Sequence, residues 1–186
     1  MIAATVAGEP VAVTEVDARE AALRDSPHTA ALPRPGTREG RQLRRWLTQL
    51  LVTEKVLACE ARELGVTVTA DTPAESDVLP DPTARLEIGS IAAAALAAPL
   101  ARALYAHLTA GVGVDAAAAA AYLRRNPRRF AGEPEPERAV AAMLRGAARR
   151  RAFRIWLDQR RAALVWLAPG YEHPGDPRQP DNIHQH

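Results

Sequence analysis

The chain has 186 residues, 47% apolar, 4% aromatic and 25% charged, with a formal charge of +2 from 24 basic and 22 acidic side chains. That length supports one substantial hydrophobic core, and so small a surplus does not by itself imply a nucleic acid or an anionic membrane as partner. A single cysteine excludes an internal disulfide framework and an all-cysteine metal site. Alanine supplies 40 residues, so the core is expected to be close-packed helix seamed by Ala and Leu around a few large anchors. No basic segment followed by a long apolar run opens the chain, and the longest apolar stretch is broken by Pro99. The expectation is a soluble, cytoplasmic protein.

Ala3-Thr5-Val6-Ala7 alternates weakly, turns at Gly8-Glu9-Pro10 and resumes with Val11-Ala12-Val13, which reads as a short strand pair or an extended arm. Thr14 is placed to cap a first helix over 15–24, with Asp17 in the reciprocal position of a capping box. Pro27 ends that helix, and residues 25–37 form an irregular connection with three prolines. The strongest helical pattern lies over 38–64: Leu43, Trp46, Leu47, Leu50, Leu51, Leu57, Ala58, Ala61 and Leu64 recur at spacings of three and four, and Gly65 supplies a stop.

Thr72-Pro73-Ala74-Glu75 resembles a helix start, cut short by Pro80 and Pro82. Residues 86–109 return to an amphipathic helix on Leu86, Ile91, Ala95, Leu100, Leu104 and Leu108, kinked or divided at Pro99. Asp115 caps an Ala-rich helix over 116–125, ended by Asn126-Pro127. The last long helix is predicted over 137–160, burying Val140, Met143, Leu144, Ala147, Phe153, Trp156 and Leu157. Residues 163–167 could prolong it; the preferred reading is a short closing strand beside the N-terminal one, because Pro169-Gly170 follows. The fold class is therefore mainly α with a small β element. Residues 1–168 form one helical domain, and 169–186 form a Pro/His-rich tail packed back on it.

Three segments in this order resemble the N-terminal chaperone module of the SurA and parvulin-type peptidyl-prolyl isomerase family. They are the strand-and-helix opening Val6-Ala7-Gly8-Glu9-Pro10-Val11-Ala12-Val13-Thr14-Glu15-Val16, the long helix through Leu47 and Leu50-Leu51-Val52-Thr53-Glu54-Lys55 to Leu64-Gly65-Val66, and Ala121-Tyr122-Leu123-Arg124-Arg125-Asn126-Pro127-Arg128-Arg129-Phe130. A returning helix and strand over 137–167 complete the likeness, which spans roughly residues 4–167. The resemblance implies a SurA-N-like helical bundle with a groove for extended or apolar ligands. It does not imply prolyl isomerase activity: only a few residues separate Phe130 from the closing helix, so the isomerase domain and its catalytic residues are absent.

The sharpest local signal for chemistry is in the tail. His184 and His186 are one residue apart and point to one side of an extended segment, while Glu172 and His173 precede turn-forming Pro174-Gly175-Asp176-Pro177 and Pro180-Asp181-Asn182. Three imidazoles with a carboxylate or water would suit zinc first, iron or copper next; a solvated or hydrogen-bonded tail is the alternative. Glu54 lies among Leu50, Leu51, Leu57 and Ala58, where a carboxylate needs a partner. Arg160 or Arg161 could pair with it, it could act as a general acid, base or metal ligand, or it could simply be exposed. His107, beside Leu104 and Leu108, is a weaker catalytic candidate than a partly buried, hydrogen-bonded histidine. His28 is unplaced, and Cys59 reads as a small apolar residue near a helix margin.

Trp46 and Trp156 are expected in the core, while Trp166, Tyr171, Tyr105 and Tyr122 could line a groove for a peptide or a planar small molecule, with core packing the stronger reading for each taken singly. The basic runs at 124–129 and 149–151 lack a zinc finger, a recognition helix or interleaved aromatics, so no nucleic acid is expected. No phosphate loop, Rossmann fingerprint or HExxH motif calls for a nucleotide cofactor or a thermolysin-like site. Three functions remain open. One is a chaperone-like module holding an apolar peptide or partner protein, as a monomer or a homodimer, with a metal-held tail. Another is a small metal-dependent biosynthetic enzyme built on His173, His184 and His186. The last is a structural metal clasp.

Overall fold

The computed structural model describes residues 1–27 and 29–176. The chain divides into two compact units: Met1–Leu64 with the segment from Gln159 onward, and Gly65–Asp158. The fold is mainly helical, with a small three-stranded antiparallel sheet that ties the N-terminal strand to a C-terminal one.

In the first unit, β1 (Ile2–Val6) and β2 (Glu9–Ala12) form a hairpin, and β3 (Val165–Leu167) pairs antiparallel with the other side of β1. The sheet order is β2-β1-β3. The hairpin turn uses Ala7 and Gly8, both at positive φ (50° and 84°), the backbone that a two-residue turn between right-twisted strands requires. Ala4, Val6 and Val11 are buried. Helix α1 (Val13–Arg24) follows β2 directly. Its first turn is capped at Ala12, two residues before Thr14, and Glu15 Oε1 rather than Asp17 closes the box by accepting the Ala12 N–H at 2.9 Å.

Helix α2 (Arg38–Glu63) is capped by Thr37, whose hydroxyl accepts the Gly40 N–H at 3.0 Å. It buries Leu47, Leu50, Val52, Val56, Leu57 and Ala61, and with them the polar Thr48, Gln49 and Thr53. Those polar side chains are engaged rather than stranded. Thr48 and Thr53 bond to carbonyls one turn back, and Arg161 donates to Gln49 and Thr53. Gln49 Nε2 donates to the Tyr171 carbonyl at 2.8 Å, and Arg45 Nε to the Gly170 carbonyl at 3.2 Å. The chain just past β3 is thereby fastened to α2.

In the second unit, α3 (Glu75–Val78) is a single turn started by Ala74, not Thr72, with Asp77 accepting the Ala74 N–H at 2.9 Å. The expected helix over 86–109 is three helices: α4 (Pro82–Ile88), α5 (Ser90–Ala95) and α6 (Pro99–Leu108). Gly89, at φ 88°, makes the first break, a backbone that other residues adopt only with strain. Pro99 opens α6 at its first turn, so it divides the segment, one of the two expected outcomes, rather than kinking it. Leu86, expected on the apolar face, is 81% exposed, because α4 turns Ala84 and Ile88 inward. Helix α7 (Ala116–Arg125) is capped by Asp115, whose carboxylate accepts the Ala117 N–H at 3.1 Å.

Helix α8 (Pro136–Leu164) runs straight into β3 without a loop. Val140, Phe153 and Leu157 are buried on it. No described helix is long and apolar enough to cross a membrane.

Candidate functional site

An open hollow lies in the second unit, where one face of α8 meets Glu87 of α4. Leu144, Ala147, Ala148, Arg151, Ala152 and Ile155 recur at three- and four-residue spacing, so they form one stripe along the helix. The buried residues Arg150, Phe153 and Leu157 occupy a different side of it. The groove encloses about 620 Å³. Its floor is small and aliphatic, and Ile155 stays 50% exposed.

The charged side chains on and behind the groove are fixed unequally. Arg150, only 6% exposed, donates from two nitrogens to Glu87 Oε2 at 2.8 Å and from a third to the Val78 carbonyl at 3.3 Å. Arg154 donates to the Glu87 carbonyl at 3.1 Å. Arg151 is exposed. Beneath the same helix, Phe153 meets Tyr105 edge-on with ring centroids 5.3 Å apart, and Arg149 lies 5.1 Å over the Tyr105 ring while donating to Thr109. Burial raises the Tyr105 phenol above its ordinary range, with the charges of Arg149 and Arg150 opposing. The groove is thus an apolar trough with a predominantly cationic lip. Its charged members are Arg151, Arg154 and Glu87, and the Glu87 carboxylate is already held by Arg150 from the buried side of the helix. That composition suits holding a ligand better than moving a proton.

A smaller hollow of about 370 Å³ in the first unit is lined by Val6, Ala7, Glu9, Lys55, Ala58, Cys59, Arg62 and Glu63. Arg62 donates to Cys59 Sγ at 3.8 Å, and Lys55 pairs with Glu15 at 2.8 Å.

The metal expectations are corrected. Among the described residues, no group of three His, Cys, Asp or Glu side chains could hold a metal ion. Glu172 and His173 bond to their own turn instead: Glu172 Oε2 accepts the Gly170 N–H at 2.8 Å, and His173 Nδ1 accepts the Gly175 N–H at 3.0 Å. His184, His186 and His28 lie outside the described residues. The divalent cofactor (zinc, iron or copper), the metal-held tail, the structural clasp and the metal-dependent biosynthetic enzyme on His173, His184 and His186 are therefore withdrawn.

Several of the remaining candidates lie away from where the sequence put them. Glu54 pairs with Arg19 of α1 at 2.6 Å, both partly exposed, and not with Arg160 or Arg161. Arg160 instead meets the buried Glu60 carboxylate at 2.5 Å. His107 is exposed on α6 rather than partly buried. Tyr105 is core, at 3% exposure. Tyr122 packs edge-on against Phe130 and accepts a hydrogen bond from Arg129 at 2.9 Å. Trp46 and Trp156 are half-buried rather than core, Trp156 leaning on Phe153 at 5.6 Å. Trp166 is 56% exposed on β3. The four proposed groove aromatics do not line the α8 trough, whose residues are aliphatic or charged. Sequence reasoning missed the trough because it assigned Leu144 and Ala147 to the buried side. The available signal was the run of alanines at 147, 148 and 152 between arginines.

A family of unknown function, DUF7158, matches residues 2–39, the stretch from β1 into the first turn of α2 and fewer than half of the chain's residues. No curated protein and no solved structure matches the chain.

Proposed function

We propose that this protein is a binding module of the SurA-N-like kind that holds a short apolar segment of a partner protein along α8. The observation that carries the reading is the trough itself: an aliphatic floor from Leu144 to Ile155, open to solvent, with Arg151 and Arg154 at its lip. Alanines at 147, 148 and 152 keep the floor low enough for another chain to lie close to the helix. Burying Ile155 and Leu144 under a partner supplies the drive. The arginines select for acidic residues flanking the apolar segment, because paired cationic and anionic rims steer association and set orientation. The element order supports the SurA-like part of the reading: a strand pair, a helix, a long helix, a middle region without an isomerase domain, then a long helix running into a strand.

The test is fluorescence anisotropy with labelled peptides that share an apolar centre and differ in acidic or basic flanks. Acidic flanks are expected to bind more tightly. Ile155→Asp should weaken that binding by about tenfold, the equivalent of about 1.4 kcal/mol. Arg151→Glu should reverse the flank preference. Equal binding by wild type and Ile155→Asp, or indifference to flank charge, would overturn the proposal.

A further inference from the structure

We infer that the open edge of β3 pairs with β3 of a second copy of this chain, antiparallel about Trp166. Pairing with β1 fixes which way the peptide groups of β3 point. Ala7 N–H donates to the Leu164 carbonyl and Ala168 N–H to the Ala3 carbonyl, both at 2.9 Å. Residues 164, 166 and 168 therefore turn their backbone groups toward β1, and Val165 and Leu167 turn theirs to the other side, since successive residues of a strand alternate. Among the described residues β3 has no strand on that side.

The two edges of the sheet are not alike. The β2 edge carries Glu9 and Pro10, a charge and a residue without an N–H, both of which discourage strand addition. Val165-Trp166-Leu167 carries no charge, proline or glycine. At its centre Trp166 is 56% exposed, opposite Thr5 and in the same cross-strand row as Pro10.

The strand is self-complementary. With Trp166 facing Trp166 of the second copy across a twofold axis, Val165 stands opposite Leu167 of that copy, and Leu167 opposite its Val165. Each of these positions exchanges two backbone hydrogen bonds. The two tryptophans then occupy a non-hydrogen-bonded pair, the position in which cross-strand side chains come closest. The result is one sheet in the order β2-β1-β3-β3-β1-β2, with an isologous contact that closes on itself. This inference does not depend on the α8 trough.

Sedimentation of the full chain over a dilution series tests it. Wild type is expected to pass from dimer to monomer on dilution, and Trp166→Lys to sediment as a monomer throughout with an unchanged circular dichroism spectrum. A second readout does not depend on that variant folding well. In a Cys59→Ala background, Trp166→Cys should oxidise to a covalent dimer, because the paired Cα atoms lie within disulfide reach. Glu9→Cys on the other edge should not. A wild type that is monomeric at every concentration would overturn the inference, as would a dimer that cross-links no better through position 166 than through position 9.

Discussion

Glu20 lies at 8% exposure between two guanidinium groups: Arg24, one turn along α1, at 2.7 Å, and Arg44 of α2 at 2.9 Å. Burial alone would push its carboxyl up, but the hydrogen bonds and charges of Arg24 and Arg44 outweigh it, and the pKa falls below the ordinary value of 4.5. Glu15 shifts the same way through Lys55 and the Ala12 N–H. The sign follows directly. A carboxyl whose folded pKa is depressed adds stability that is complete above the unfolded pKa and is lost as pH falls through the folded one. Urea unfolding at a series of pH values should show stability declining from about pH 5 downward, and Glu20→Gln should flatten that decline while lowering the plateau. An unchanged acid slope in the variant would show that Glu20 is not a principal source of it. The partner choice was not readable from sequence, since Glu20 has arginines nearby in the chain and across the fold. Arg150 shows the same limit. In the Arg149-Arg150-Arg151 run one residue is buried, one stacks on a tyrosine and one is exposed. Charge type alone does not distinguish them.

At the scale of elements, the long helices with clear stops were readable in extent, and the segment divided at a glycine was not. Asp115 begins its helix where the sequence places it, because its side-chain oxygen satisfies an otherwise unpaired N–H of the first turn, whereas Thr14 and Thr72 yield the cap position to Ala12 and Ala74. The division at Gly89 was invisible to a pattern of apolar spacing that runs across it. The hairpin was readable as a turn near Gly8, but its demand on Ala7 was not. Ala7 sits at φ 50°, the one described non-glycine residue at positive φ, where a Cβ meets the backbone unfavourably. Asparagine tolerates that region and is favoured in this turn type. Ala7→Asn is therefore expected to stabilise the protein by about 0.5–1 kcal/mol, seen as a higher urea midpoint with an unchanged slope. A lower midpoint would mean that contacts of the Ala7 methyl, which borders the smaller hollow, outweigh the relief of backbone strain.

For the molecule as a whole, the closing strand was the most consequential element to read correctly. The apolar run Ala163-Leu164-Val165-Trp166-Leu167 could prolong the helix or form a strand, and Pro169-Gly170 after it favoured the strand; β3 does complete the sheet through β1. What the pattern could not disclose is the fastening beyond it. Arg45 and Gln49 are buried, and they find carbonyl partners at Gly170 and Tyr171, more than a hundred residues away. Removing those carbonyls would take one hydrogen bond from each of two buried polar side chains, at a cost of about 0.5–1.5 kcal/mol apiece. A chain ending at Leu164 loses β3 and both bonds, whereas one ending at Asp176 keeps every described contact. Hydrogen exchange should separate the two: amides of β1 and α2 in the shorter chain are expected to exchange faster by on the order of a hundredfold, with those of the longer chain near wild type. Amides of α6 and α7 belong to the other compact unit, and should keep their protection in both. Loss of protection there as well would show that the two units open as one cooperative block, with β3 holding the whole protein closed rather than its first unit alone.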